Sequence, residues 1–204
     1  MRIIAGLFKG RHLAGPEGAG LRPTSDSLRE TLFNILGPSV AGMTVLDGFA
    51  GTGALGLEAL SRGAARVTFV ERDRRAIRVL EENITRCGAE NTCAIIKRDW
   101  ASAFAAALPS SFGGQPSPGL PAEARQSRAE AGTPEPVLHN LILLDPPYDV
   151  QDLEAVVRQA ARLLAPAGRL VLEHSRRRAS PEGAPPLQRT RVVTAGDSAL
   201  SFYE

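Results

Sequence analysis

From Thr44 onward the chain repeats one order of elements: apolar strand, turn, amphipathic helix, apolar strand. Thr44-Val45-Leu46-Asp47 is a short strand running into Gly48-Phe49-Ala50-Gly51-Thr52-Gly53. A helix then carries Leu57 and Leu60 to about Arg62, where Gly63 ends it. Val67-Thr68-Phe69-Val70 forms a second strand, closed by Glu71. Its helix, Asp73 to about Arg86, turns Ile77, Leu80 and Ile84 to one side. A third strand, Ala94-Ile95-Ile96-Lys97, leads to Asp99. Leu141-Ile142-Leu143-Leu144 is a buried strand ending in Asp145-Pro146-Pro147-Tyr148, followed by a helix from Leu153 to Leu164 and a strand at Arg169–Glu173. Strands that alternate with helices at this spacing join by right-handed crossovers, which predicts an α/β chain with a parallel sheet. Two last strands, near Arg191-Val192-Val193 and Leu200–Tyr203, read as a hairpin.

A chain of 204 residues is long enough to bury one full core. Its 43% hydrophobic and 23% charged residues are ordinary for a globular protein. The start, Met1-Arg2-Ile3-Ile4-Ala5-Gly6, lacks the apolar run of a signal peptide, and no stretch is apolar for long enough to cross a bilayer as a helix. A cytoplasmic protein without membrane attachment, monomeric by default, is the expectation. The two cysteines, Cys87 and Cys93, have no metal-ligand pattern around them and read as reduced thiols.

A net charge of +2 is mild, so the distribution of charge carries more than its total. Arg2, Lys9, Arg11 and Arg22 face the single acid Glu17 in a glycine-broken leading segment. This is a basic arm, either merely solvated or contacting phosphate. A helix follows, with Ser27 and Glu30 as a capping box and Leu28, Leu32, Ile35 and Leu36 along one face, stopped by Gly37-Pro38. Residues 1–36 thus read as a basic extension plus helix, and 37–204 as the core. Residues 107–137 have too few large apolar side chains to offset the entropy of ordering, which predicts a flexible insertion. Arg125 and Arg128 are its only hint of RNA contact.

Gly51-Thr52-Gly53-Ala54-Leu55-Gly56 follows a strand and opens a helix, as in dinucleotide sites. Alone the match is weak, because any nucleotide-like ligand that comes close to backbone needs glycines. Asp47 lies just ahead of it. A pyrophosphate on the helix N-terminus would be repelled by so near a carboxylate, whereas the ammonium and sulfonium of S-adenosylmethionine would be attracted. Glu71, at the end of the second strand, can accept both ribose hydroxyls, and Asp99, at the end of the third, can accept an adenine amino group. Gly48, Ala50, Gly51, Gly53, Arg72 and Trp100 complete the candidate cofactor set around Asp47, Glu71 and Asp99. A phosphate-loop NTPase is excluded, since no Gly-Lys-Ser/Thr follows the glycines.

Asp145-Pro146-Pro147-Tyr148 ends a buried strand, beside the crevice where open α/β sheets bind ligands. An exocyclic base amine is a poor nucleophile because its lone pair is delocalised into the ring. Two acceptors holding its N–H groups draw the nitrogen toward tetrahedral geometry and free that pair. The Asp145 carboxylate and the Pro146 carbonyl are the candidates, in a turn stiffened by Pro146 and Pro147. Asp145 would also stabilise the positive charge that develops on nitrogen, and Tyr148 offers a face on which an extruded base can stack. No metal and no covalent intermediate are needed.

With both motifs placed, the chain resembles the RsmD family of ribosomal RNA guanine-N2 methyltransferases, which act on guanine 966 of bacterial 16S rRNA. Besides the two motifs, the resemblance rests on Arg2-Ile3-Ile4-Ala5-Gly6 with Lys9-Gly10-Arg11, on Arg22-Pro23-Thr24-Ser25-Asp26 leading into Arg29-Glu30-Thr31-Leu32-Phe33-Asn34, and on the run Gly53 to Ala64. It implies a class I, Rossmann-like methyltransferase fold with a seven-stranded, mostly parallel sheet whose last strand is antiparallel. It also implies S-adenosylmethionine as cofactor and a partly assembled small subunit as substrate. Arg2, Lys9, Arg11, Arg22, Thr24 and Arg29 become candidate RNA contacts. The chain departs from the family at Gly48, where Leu is usual, and at Ser27, where Arg is common; the first is expected to loosen the cofactor loop.

Three other readings stand beside this one. An adenine-N6 methyltransferase would use the same tetrapeptide, although this chain has little room for a separate target-recognition domain. An NAD-binding oxidoreductase would need an acid/base among His12, His139 and His174, of which His174 could line the cleft. A non-catalytic assembly factor would not need Asp145 and Tyr148.

Overall fold

The computed structural model describes residues 1–15, 26–107 and 137–204. After helix α1 (Asp26–Leu36) the chain alternates through β1 (Thr44–Gly48), α2 (Ala54–Ser61), β2 (Arg66–Val70), α3 (Arg74–Cys87), β3 (Cys93–Ile96), α4 (Trp100–Ala107), β4 (His139–Leu144), α5 (Leu153–Ala161) and β5 (Leu164–Ser175). It closes with β6 (Gly183–Ala184), β7 (Leu187–Ala195) and β8 (Ser198–Tyr203). One sheet orders them β3-β2-β1-β4-β5-β8-β7-β6. Strands β1 to β5 pair in parallel, and β8 runs antiparallel to both β5 and β7.

The sheet has eight strands among the described residues rather than the expected seven. The addition is β6, a two-residue edge held on β7. So short a strand has no periodicity to read. α4 was not expected either, because its Ala-rich sequence merges into the composition of the insertion. Of the insertion expected at 107–137, residues 108–136 lie outside the described residues, as do Glu17, Arg22, Thr24, Arg125 and Arg128. Ser27 lies within α1 and its carbonyl accepts a bond from the Thr31 hydroxyl, so the helix begins earlier than the expected capping box.

Alternate residues of the central strands feed two cores, as side chains of period two must. Leu141 and Leu143 pack with Val45, Val67 and Phe69 under α1, α2 and α3. Ile142 and Leu144 pack with Leu46, Leu170 and Leu172 under α4 and α5. Ile3, Phe8 and Leu13 of the leading arm belong to the first of these cores, so the arm is packed as part of the main body. No described helix is long and apolar enough to cross a membrane. Because β1 lies between β2 and β4, the crossovers on its two sides diverge and leave a crevice at the carboxyl ends of the strands.

Candidate active site

The crevice is a cleft of about 1800 Å³, with Asp47, Gly51, Glu71, Asp99, Trp100, Asp145, Tyr148 and Glu173 among its lining residues. On its β1 side, Asp47 is 1% exposed and its Oδ2 accepts the Gly56 N–H at 2.8 Å. Burial holds its carboxyl well above the usual carboxylate range, and the Asp145 and Glu71 carboxylates push the same way against the Gly56 bond. Glu71 ties the turn to β2: one oxygen accepts the Gly51 N–H at 2.8 Å, the other the N–H groups of Arg72 and Asp73 at 2.7 and 2.8 Å.

The turn takes left-handed backbone at Phe49, Gly51 and Gly53, with φ of 64°, 55° and 80°. A Cβ on Gly51 would meet no protein atom within 4 Å, so the room it leaves is cleft space. On Gly53 a Cβ would lie 2.3 Å from Leu80, so that glycine serves helix packing. Gly48 corrects the expectation of a loosened loop. A Cβ there would lie 2.8 Å from the Trp100 ring, which stacks on Phe49 at 5.6 Å, so the missing side chain makes room for a packed pair. Asp99 accepts the Ser102 N–H and hydroxyl and so caps α4, which holds its carboxyl below the usual range. The Trp100 indole N–H is buried and has no partner among the described residues.

S-adenosylmethionine fits these surroundings. The carboxylates suit its two cationic groups, the side-chain-free turn admits a close ligand, and the orphaned indole N–H awaits an acceptor. Asp47, Glu71 and the backbone of Ala50 to Gly53 would hold it, with Asp99 and Trp100 at the end of the cleft beyond β3.

Across the cleft, the Asp145 N–H donates to the Gly48 carbonyl at 3.3 Å and pins the tetrapeptide to β1. Pro146 is buried, Asp145 half-buried, and Pro147 and Tyr148 exposed. The Tyr148 and Ser198 hydroxyls lie 3.2 Å apart. Beyond the turn, the Arg178 guanidinium bonds the Val150 and Gln151 carbonyls and clamps the exit. Glu173, 6% exposed, is a cleft residue that sequence reasoning missed. Leu144 pairs with Leu172, so Asp145, just past the end of β4, lies beside Glu173 near the carboxyl end of β5. An acid at the carboxyl end of a predicted parallel strand was the available signal.

Arg2, Lys9 and Arg11 are exposed on the arm, and Arg11 donates to the Arg86 carbonyl at 2.7 Å. Arg29 is corrected: it is 0% exposed, donates to the Arg2 carbonyl at 2.6 Å, and pairs with Asp26 and Glu58. It is an internal tie, because it sits on the buried face of α1. His174 is buried outside the cleft, between the Ser175 carbonyl and the Ser201 hydroxyl.

The family described as "Conserved hypothetical protein 95" matches residues 1–111 and 122–204. The chain is 34% identical to "Putative rRNA methyltransferase YlbH" of Bacillus subtilis, over 100% of this chain and 98% of that protein. It is 40% identical to "Ribosomal RNA small subunit methyltransferase D" of Escherichia coli K12, over 72% of this chain and 60% of that protein. Among solved structures it superposes on "Putative methyltransferase yhhF from Escherichia coli" with a TM-score of 0.75 and 32% identity, covering 100% of this chain and 96% of that one.

Proposed function

This chain belongs to the RsmD-like family of S-adenosylmethionine-dependent rRNA methyltransferases, and from that premise we propose that it methylates the exocyclic N2 of a guanine in small-subunit rRNA. The target would be guanine 966 of 16S rRNA, met in the cytoplasm on an assembling 30S particle by a monomeric enzyme. The observation that carries the choice of base is the pair Asp145 and Glu173, on neighbouring chain segments in one cleft. Guanine presents two donors on one edge, N1–H and the N2 amine, and two carboxylates suit that edge. Adenine presents an acceptor at N1, which a carboxylate repels.

Bound S-adenosylmethionine supplies an electrophilic methyl group on sulfur. The Asp145 carboxylate and the Pro146 carbonyl hold the amine N–H groups, orient the nitrogen lone pair and oppose its delocalisation. Asp145 stabilises the positive charge developing on nitrogen and accepts the surplus proton. Tyr148, with its hydroxyl beside Ser198, offers a ring face for the extruded base. Arg2, Lys9, Arg11, Arg22 and Thr24 would contact the rRNA backbone and fix its register.

The test supplies methyl-labelled S-adenosylmethionine and small subunits from cells lacking the modification, with nucleosides analysed by mass spectrometry. N2-methylguanosine from the wild type, lost in Asp145→Ala with cofactor binding retained, is the expected result. N6-methyladenosine would overturn the choice of base, and methylation undiminished in Asp145→Ala would overturn the mechanism.

A further inference from the structure

Arg74, Arg75 and Arg78 stand in the first turns of α3, after Arg72 and the N-cap Asp73. All four are exposed, and with Asp73 they line a shallow depression on the surface. Past the N-cap Asp73, whose carboxylate accepts the Arg75 and Ala76 N–H groups, the first turn of α3 carries no acid. A helix N-terminus bears partial positive charge, so cations placed there work against the helix. Further along, the same helix balances its charges: Arg86 pairs with Glu82 at 2.5 Å, and Glu81 with Lys97 at 2.6 Å. Among the described residues, Arg72, Arg74, Arg75, Arg78 and Arg98 form no salt bridge.

Four exposed guanidinium groups against the single acid Asp73, whose carboxylate already caps α3, leave an excess of positive charge that suits an external anion. The cofactor is a poor candidate, since its single carboxylate is outweighed by two cationic groups and its cleft already holds Asp47, Glu71, Asp145 and Glu173. Position favours the substrate instead. Arg75, Arg78 and Arg98 also form part of the wall of the main cleft, the cleft that holds Asp145 and Tyr148. At the other end of α3, Arg11 bonds the Arg86 carbonyl and brings in the basic arm with Arg2 and Lys9. Basic residues therefore stand at both ends of the helix, about 20 Å apart for its 14 residues, with the paired Glu81 and Glu82 between them. Guanidinium groups match phosphate oxygens in a bidentate fashion, and a cluster of them suits a polyanionic strand.

We propose that the exposed face of α3 is an rRNA-backbone contact, gripping phosphates through Arg74, Arg75 and Arg78 while the base occupies the cleft. It rests on the reading of the protein as an rRNA methyltransferase, and its test separates the two.

The full-length chain and its Arg74→Gln/Arg75→Gln/Arg78→Gln variant would be titrated with deproteinised 16S rRNA across a salt series. Binding of S-adenosylhomocysteine and the melting temperature would be measured in parallel. Each lost phosphate contact lowers the slope of log K against log salt by about 0.7 for single strands, so the expected decrease is about 2. Affinity should fall at least about tenfold near 0.1 M salt. Cofactor binding should be unchanged and the melting temperature equal or higher, because cations are removed from a helix N-terminus. Wild-type affinity and slope in the variant would overturn the proposal, as would joint loss of cofactor binding and thermal stability. A wild type that binds rRNA with a steep salt slope but transfers no methyl group would sink the enzymatic reading and leave the contact standing.

Discussion

At the scale of single residues, Asp47 joins opposing demands. Its carboxyl is raised by burial and by neighbouring acids, so the folded chain holds its proton more tightly than the unfolded chain does. The stability it contributes is therefore complete below the ordinary carboxylate range and lost as pH rises through its raised folded value. In its ionised form the carboxylate is a buried charge whose cost a cationic ligand relieves. Asp47→Asn keeps an acceptor for the Gly56 N–H and removes that charge. We expect the melting temperature at pH 7 to hold or rise, while calorimetry shows S-adenosylmethionine binding weakened at least tenfold, about 1.4 kcal/mol. Weaker binding accompanied by a fall in melting temperature would show that Asp47 acts in the fold instead.

At the scale of elements, α2 is buried along its whole length and Glu58 is its hub. The Glu58 carboxylate accepts the N–H groups of Ile4 and Ala5 at 2.8 and 3.1 Å, pairs with Arg62 at 2.8 Å, and lies 3.8 Å from Arg29. Burial lowers the pKa of the Arg29 guanidinium from its ordinary value, and the charges of Asp26 and Glu58 oppose this. Removing one partner of a buried pair costs about 3–5 kcal/mol because the other charge is stranded. Glu58→Gln should lower the melting temperature by about 10 °C. It should also speed hydrogen exchange at the Ile4 and Ala5 amides before other core amides. Exchange that rises evenly through the core would show that α2 does not hold the arm specifically.

For the whole molecule, stability against pH reflects groups of opposite sign. His139 begins β4, buried, with Nδ1 lacking a partner among the described residues, and burial lowers its pKa to about 4. An unfolded imidazole titrates near 6.5. Between about 6.5 and 4 the unfolded chain binds a proton that the folded chain refuses, so stability present above 6.5 is lost as pH falls, by up to about 3 kcal/mol. Asp47 acts in the other direction, its cost easing as pH falls. Urea midpoints at pH 7 and 4.5 should show a smaller acid loss in His139→Leu than in the wild type. An equal loss in both would place the acid sensitivity elsewhere.

Local chemistry alone determined much of this protein. The alternation of apolar runs and amphipathic helices dictated the parallel order of β1 to β5, because period and turn residues act over a few positions. The same locality made the turn from Asp47 to Gly53, Glu71 and the Asp145–Tyr148 tetrapeptide legible as strand-end features that now line one cleft. What the residues face was decided only on folding. Arg29 reads as a surface cation and lies at 0% exposure, because α1 turns that side toward Glu58 on a distant helix. Asp99 reads as a strand-end acceptor for an adenine amino group, and on folding its carboxylate caps a helix whose composition hid it. Glu173 stands beside Asp145 only because β4 and β5 pair in a particular register. Burial, register and charge pairing are relations between segments far apart in the chain, and no local window contains them.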